Sequence, residues 1–221
     1  MLTVHHLNNS RSQRVLWLLE ELGLPYEIKH YQRDAKTMLA PPELKAIHPL
    51  GKSPVITDGP ATLAETGAIV ETIVEAYGGG RLKPPAGSED RLRWLYWLHY
   101  AEGSAMPPLL LKLVFTALPA RAPGLVKGIV KGISNQALKT FVDPQLTAHF
   151  DYWEAELGKS EWFAGAEFSA ADIMMSFPVE AAADRAGALV GRPRLKAFLD
   201  RIHARPAYRA ALEKGGPYAY A

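Results

Sequence analysis

Two polar clusters stand where an apolar strand pattern gives way to a helical one: "HLNNSRSQ", residues 6–13, and "LAETGAI", residues 63–69. A helix N-terminus carries unpaired N–H groups and a partial positive charge. Hydroxyls placed there, Ser10 in the first cluster and Thr66 in the second, are therefore set to receive an anion. Glu65 adds a carboxylate at the second junction. Each cluster also has a purely structural reading: Ser10-x-x-Gln13 is a capping box, which would leave Asn9 or Ser12 to face a ligand, and Thr66 reads as an N-cap. Between them lies "HPLGKSPVITDG", residues 48–59, with Lys52 beside Ser53 and Pro54. A proline cannot donate to a sheet ladder, and Val55 and Ile56 are β-branched, so Pro54 opens a strand that ends at the Asp58-Gly59 turn. A cis bond there would turn the Ser53 backbone toward an incoming peptide, and the isomer is not legible from spacing.

The chain of 221 residues has no cysteine. Disulfides, thiolate metal sites and protein thiol nucleophiles are excluded together, and any thiol chemistry must use a thiol carried by the substrate. His5 and His6 are neighbours on a strand, so they point to opposite faces and form no chelating pair; no metal is expected. With 25 basic and 23 acidic residues the net charge is +2, which predicts neither a nucleic-acid nor an anionic membrane partner. The start, "MLTVHHLNNSRSQ", lacks the marks of a signal peptide, and a cytoplasmic location is expected. The most apolar stretch, Met106 to Leu118, contains Pro107, Pro108 and Lys112 and reads as too short to cross a bilayer.

The elements that must position these groups follow from periodicity. Leu2 to Leu7 alternates as a strand, Val15, Leu18, Leu19 and Leu22 recur at helical spacing, and Tyr26 to Tyr31 alternates again, completing a βαβ unit. A weaker helical stretch over 37–46 precedes the Pro54 strand, "ATLAE" returns antiparallel, and Ile69 to Tyr77 marks a helix. The order is βαβαββα. "GGGRLKPPAGS", residues 78–88, has no apolar period and reads as a linker. Beyond it the pattern is wholly helical: "EDRLRWLYWLHYAEGSAM", Asn135 to Leu157, Ala170 to Ala186 and Leu195 to Leu212. The expected boundaries are 1–79, 80–88 and 89–221. Ser169-x-x-Asp172 before "IMM" reads as a capping box.

A βαβ unit followed by ββα with a proline opening the third strand resembles a thioredoxin-like domain. With an all-α domain behind it, the chain resembles the cytosolic glutathione transferases, detoxification enzymes. The resemblance is carried by "HPLGKSPVI" (48–56), "LAETGAI" (63–69), "SAADIMM" (169–175) and "RIHARPAYRAAL" (201–212); "SRSQRVLWLLEELGLPYE" is most similar to bacterial and fungal members. It implies a cis Pro54, with the Ser53 backbone pairing the cysteine of glutathione. It also implies Thr66 on the γ-glutamyl carboxylate, Glu65 near its ammonium and Lys52 on the glycine carboxylate. A free thiol, with a pKa of about 8.5, is only a few per cent ionised at neutral pH. The resemblance matches Ser10 to the hydroxyl that stabilises the thiolate, with Asn9 as the competing candidate. It further implies glutathione as co-substrate without a metal, a small electrophile as partner, an acceptor pocket involving His99, Tyr100 and Met106, and a homodimer. Glutathione-dependent peroxide reduction, isomerisation and non-catalytic ligand binding are the alternatives on the same fold.

Overall fold

The computed structural model describes residues 1–220. Strands β1 (Thr3–Leu7), β2 (Glu27–Tyr31), β3 (Val55–Asp58) and β4 (Ala61–Ala64) form one mixed sheet in the order β2-β1-β3-β4. β1 runs parallel to β2, with Val4 opposite Ile28, and antiparallel to β3, with Val4 opposite Ile56. Helices α1 (Ser12–Leu22), α2 (Glu43–Ile47) and α3 (Thr66–Ala76) complete the βαβαββα order read from periodicity. α1 and α3 share the main core with Val4 and Ile56, whereas Leu44 of α2 packs with Leu7 and Tyr31 in a small second cluster. α2 starts later than the 37–46 stretch suggests, because Pro41 and Pro42 belong at a helix start, where no N–H is needed; Pro42 is its N-cap.

No helix or strand lies between Ala76 and Glu89, and the connection is tied down. Arg81 Nη2 donates to the Leu22 carbonyl at 2.7 Å. The Leu82 carbonyl accepts from the Ala170 N–H at 2.9 Å and from Trp94 Nε1 at 3.1 Å.

The rest is helical: α4 (Glu89–Tyr100), α5 (Met106–Arg121), α6 (Lys127–Ala137), α7 (Asp143–Glu156), α8 (Ala170–Ala186), α9 (Pro193–Ala204) and α10 (Pro206–Gly215). The helical segment read over "EDRLRWLYWLHYAEGSAM" does not stop at Met106. A π turn, Ala101–Ala105, joins α4 to α5, and helix runs continuously over 33 residues from Glu89 to Arg121. The wide turn breaks the i→i−4 register just where the two proline rings would clash with it. By length and composition this helix could cross a bilayer; here it sinks Trp94, Trp97 and Leu98 into the core. A second π turn, Leu138–Val142, leads into α7. The single helical stretch expected over 195–212 is two helices, since Arg205 precedes Pro206 and takes the extended conformation (φ −68°, ψ 130°) that such a residue prefers.

α1 is buried almost all round because both halves of the molecule pack on it. On its outer side Arg205 makes a bidentate pair with Glu21 at 2.5 and 2.8 Å, and Trp17 packs edge-on to Tyr208. α8 is the buried axis of the helical half, started by the expected capping box. The Asp172 carboxylate accepts from the Phe163 N–H at 2.8 Å, the Ser169 N–H at 2.9 Å and the Ser169 hydroxyl at 3.1 Å. Burial pushes its pKa up to about 6 despite those donors. Asp172→Ala removes the cap and orphans the buried Phe163 N–H, so urea unfolding should register a loss of about 2–4 kcal/mol. A loss below about 0.5 kcal/mol, the range of a neutral surface change, would contradict this role.

Candidate active site

The two strand-to-helix junctions and the Ser53-Pro54 bond converge at one end of the sheet. The Ser53-Pro54 bond is cis. The Ser53 hydroxyl donates to the His5 carbonyl at 2.9 Å and accepts from the Leu7 N–H at 3.3 Å, which locks the turn onto β1. Thr66 is the first residue of α3, not its N-cap; Glu65 holds that position with φ 72°. A positive φ in a residue other than glycine costs about 1–3 kcal/mol and survives where its surroundings enforce it. No side chain caps this turn, so its N–H groups stay available to an anion.

Lys52, Ser53, Pro54, Glu65 and Thr66, all singled out in the sequence, line one cavity of about 150 Å³. His48, Leu50, Ala64, Arg11 and Glu102 complete it. Thr66 is buried, and Glu65 and Lys52 are exposed at the rim. The chemistry of this lining suits a zwitterionic peptide: a helix N-terminus and a lysine for carboxylates, a glutamate for an ammonium, and an extended backbone segment between them.

Ser10 lies just beneath the cavity, 4% exposed. The capping box expected with Gln13 does not form. α1 has Arg11 at its N-cap without a side-chain cap, and both polar atoms of the Gln13 amide are buried without a partner. Gln13 is turned toward α10, where a Cβ on Gly215 would come within 2.7 Å of its Oε1. The Ser10 hydroxyl accepts from the Ser12 N–H at 3.2 Å, lies 2.7 Å from the Ser12 hydroxyl and reaches Ser53 Oγ at 3.5 Å. Ser12 continues the chain to His6 Nδ1 at 2.9 Å. Burial, with His30 nearby, lowers the His6 pKa to about 4 against a hydrogen bond to the Gly215 backbone. His6 is therefore neutral at pH 7, and its Nδ1, facing Ser12, accepts. Ser12 spends its proton on His6, so Ser10 is the donor in the 2.7 Å contact between the two hydroxyls, and a stronger acceptor above it would have to draw that proton away from Ser12.

Asn9 (φ 48°) accepts from the Ala219 N–H at 2.8 Å through Oδ1 and faces a second cavity, of about 540 Å³. Arg11 lines both cavities. Its position was hidden in the sequence by its neighbours, since the junction was read for hydroxyls. Arg11 Nε lies 3.0 Å from Glu102 Oε2, and Arg14 pairs with the other oxygen. Burial opposes the Glu102 charge, but Arg14 and Arg11 outweigh it and hold the carboxyl below its ordinary range.

Of the three residues expected at an acceptor pocket, Met106 lines the second cavity with Leu109 and Phe177. Tyr100 does not. Its hydroxyl is committed to His149 and accepts from Trp153 Nε1 at 3.0 Å within the helical core, and burial pushes its pKa up to about 12. His99 is exposed one residue away and lines neither cavity. Helical periodicity placed these residues on the right helix, but the π turn rotates the face that meets the cavity to α5.

Comparison with known proteins agrees with both halves of the chain. Residues 1–75 match the family model described as glutathione S-transferase, N-terminal domain, and residues 111–206 the model for the C-terminal domain. The chain is 37% identical over 218 residues to glutathione S-transferase 3 of Schizosaccharomyces pombe, covering 97% of this chain and 88% of that protein. It is 32% identical over 223 residues to glutathione S-transferase 1 of Saccharomyces cerevisiae, covering 97% and 95%. Among solved structures, a glutathione S-transferase from Actinobacillus pleuropneumoniae superposes with a TM-score of 0.81 at 31% identity, covering 100% of this chain and 95% of that one.

The neutral His6 carries a prediction. A histidine whose pKa is about 4 folded and about 6.5 unfolded binds fewer protons when native. Its contribution is whole above pH 6.5 and is lost as pH falls toward 4, about 3 kcal/mol at 1.4 kcal/mol per unit. Asp172 acts in the opposite sense over nearly the same range, so the effect is read as a difference. The gap in unfolding free energy between the native protein and His6→Gln should close by about 3 kcal/mol between pH 7 and pH 4. Parallel profiles would contradict a buried neutral imidazole.

Proposed function

The chain belongs to the glutathione S-transferase family, and from that premise we propose that it binds glutathione in the cavity beneath cis-Pro54 and activates its thiol for attack on a small electrophile in the adjoining cavity. The observation that carries this reading is the convergence of Ser53, Glu65, Thr66 and Lys52 on one lining, directly above a buried Ser10 hydroxyl whose proton can be redirected from Ser12 to a stronger acceptor.

In this reading the α3 N-terminus and Thr66 hold the γ-glutamyl carboxylate, Glu65 its ammonium, Lys52 the glycine carboxylate, and the Ser53 backbone the cysteinyl residue. The thiol is then directed at the α1 N-terminus. Ser10 donates to the thiolate, and the Arg11 guanidinium, charged in spite of its burial, adds a favourable field at the junction of the two cavities. Each unit by which the thiol pKa falls requires about 1.4 kcal/mol of preference for the thiolate. A charge-assisted hydrogen bond supplies about that much or more. The electrophile, held on Met106, Leu109 and Phe177, is attacked from a fixed position, which raises the effective concentration of the nucleophile. Asn9, tied to Ala219, closes the second cavity and does not donate to sulfur.

We place the glutathione-binding unit at 1–79 and the helical unit at 89–221, joined by 80–88. A cytoplasmic setting, where glutathione keeps thiols reduced, suits the reaction. A symmetric homodimer is supported by Leu92, Leu95 and Tyr96, which expose 70%, 39% and 47% of their surface along one side of α4.

The test uses turnover of an aryl halide as a function of pH. Ser10→Ala should reduce kcat/KM near pH 7 by about 10²-fold, in the range of losing one oxyanion donor, with the loss shrinking as pH rises and the thiol ionises unaided. Asn9→Ala should keep the native pH profile. A Ser10→Ala profile parallel to the native one, with the pH-dependent loss appearing in Asn9→Ala, would reassign the donor.

A further inference from the structure

The second cavity is apolar along its floor and cationic at its mouth. Buried Leu109 of α5 and Phe177 of α8 supply the floor, while Arg11, Arg33 and Arg185 reach it from three separate elements. Among the described residues no carboxylate lines it.

The three charges are compensated unequally. Arg11 shares Glu102 with Arg14, two guanidinium groups on one carboxylate. Arg185 lies 3.5 Å from the neighbouring Asp184, which is half exposed, and stacks on the Tyr220 ring at 4.7 Å with its Nη2 donating to the Tyr220 hydroxyl. Arg33 is held by neutral groups: its Nε donates to the Asn8 carbonyl at 3.2 Å and its Nη1 to the Met38 carbonyl at 3.0 Å. Among the described residues it has no acidic partner. Its burial, and the charge of Arg11, lower its pKa against the opposing influence of Tyr220, yet a guanidinium stays protonated. The result is an excess of positive charge beside a hydrophobic surface, with Arg11 and Arg33 half-buried and Arg33 fixed in position by backbone carbonyls. Such a site attracts an anion more strongly than an open surface does, because the low-dielectric wall weakens screening.

We propose that this cavity selects acceptors that are apolar and anionic, an aromatic or aliphatic electrophile carrying a carboxylate, with Arg33 and Arg185 as the residues that read the charge. The proposal rests on the transferase reading above and names its substrate class. The floor takes the hydrocarbon body, the arginines take the carboxylate, and the reactive carbon is presented toward Arg11, where the two cavities meet. For an aryl chloride the thiolate sulfur bonds to the carbon bearing chlorine, the C–Cl bond breaks, and chloride leaves with the bonding pair. The thiol proton has by then gone to water.

The experiment compares 4-chloro-3,5-dinitrobenzoate with its uncharged carboxamide. Each kcat/KM is divided by the uncatalysed second-order rate constant with glutathione at the same pH, which cancels intrinsic reactivity. The native protein should favour the carboxylate by about tenfold at low ionic strength, and less as salt is added. Arg33→Gln and Arg185→Gln should each lower that ratio, the double substitution should bring it near one, and Arg33→Lys should restore part of it. A native ratio near one, with both acceptors turned over, overturns the proposal and leaves the transferase reading intact. A rise in KM for glutathione in Arg33→Gln at an unchanged acceptor ratio also overturns it, by assigning the arginine to glutathione's own carboxylate. Turnover of neither acceptor overturns the transferase reading and the proposal together.

Discussion

Arg14 is 1% exposed, and a guanidinium withdrawn that far from water is tolerable only if it is paired and its hydrogen bonds are taken up. Its partners come from across the molecule. Nη1 donates to the Met174 carbonyl of α8 at 2.7 Å, and Nη2 pairs with Glu102 on the π turn between α4 and α5. One side chain from the first helix thus fixes two elements of the helical half. Removing Glu102 would leave a buried charge without compensation, a penalty larger than the net worth of the pair itself. Although Arg14 Nε is left without a partner, this contact and the Arg205–Glu21 pair together set the register of the interface, and with it the position of Arg11, which takes the other carboxylate oxygen.

The two cavities adjoin because of that register. α1 presents its N-terminus to the cis-Pro54 turn on one side and to α5 and α8 on the other. The hydroxyls of Ser53, Ser10 and Ser12 run beneath that point to a histidine too deeply buried to charge. A neutral imidazole at the end of the chain orients the protons: it takes that of Ser12, which makes Ser10 the donor to Ser12 until a stronger acceptor arrives above it. Polarity and direction are both set by burial, without a metal or a protein thiol entering the argument.

Much of this was legible in the sequence where a local rule and the tertiary structure agree. The βαβαββα order followed from periodicity, Pro54 could only stand at a strand opening, and Ser169-x-x-Asp172 formed the box its spacing announced. The failures come from tertiary contacts that local rules do not contain. Gln13 matched a capping box, but the close approach of Gly215 claims its side chain for packing. The helical segment read as far as Met106 runs on through Pro107 and Pro108, because a π turn absorbs them. Tyr100 lay on the helix expected over the acceptor pocket, yet Trp153 and His149 hold its hydroxyl in the core. Arg11 went unnoticed because charged residues at a helix start are common on surfaces; only the fold reveals that it faces both cavities. The second cavity as a whole was illegible, since Arg33, Leu109, Phe177 and Tyr220 are far apart in the chain and share no motif.

The account stands or falls on whether the site stabilises a thiolate, and the most direct measurement is the ultraviolet absorbance of glutathione bound to the native protein, titrated against pH. If Ser10 and Arg11 act on sulfur as argued, the thiolate band of the bound tripeptide should appear at least one to two pH units, roughly 1.4–3 kcal/mol, below the point at which free glutathione ionises. Bound glutathione that titrates like the free thiol would contradict the account, leaving a protein that holds the tripeptide without activating it.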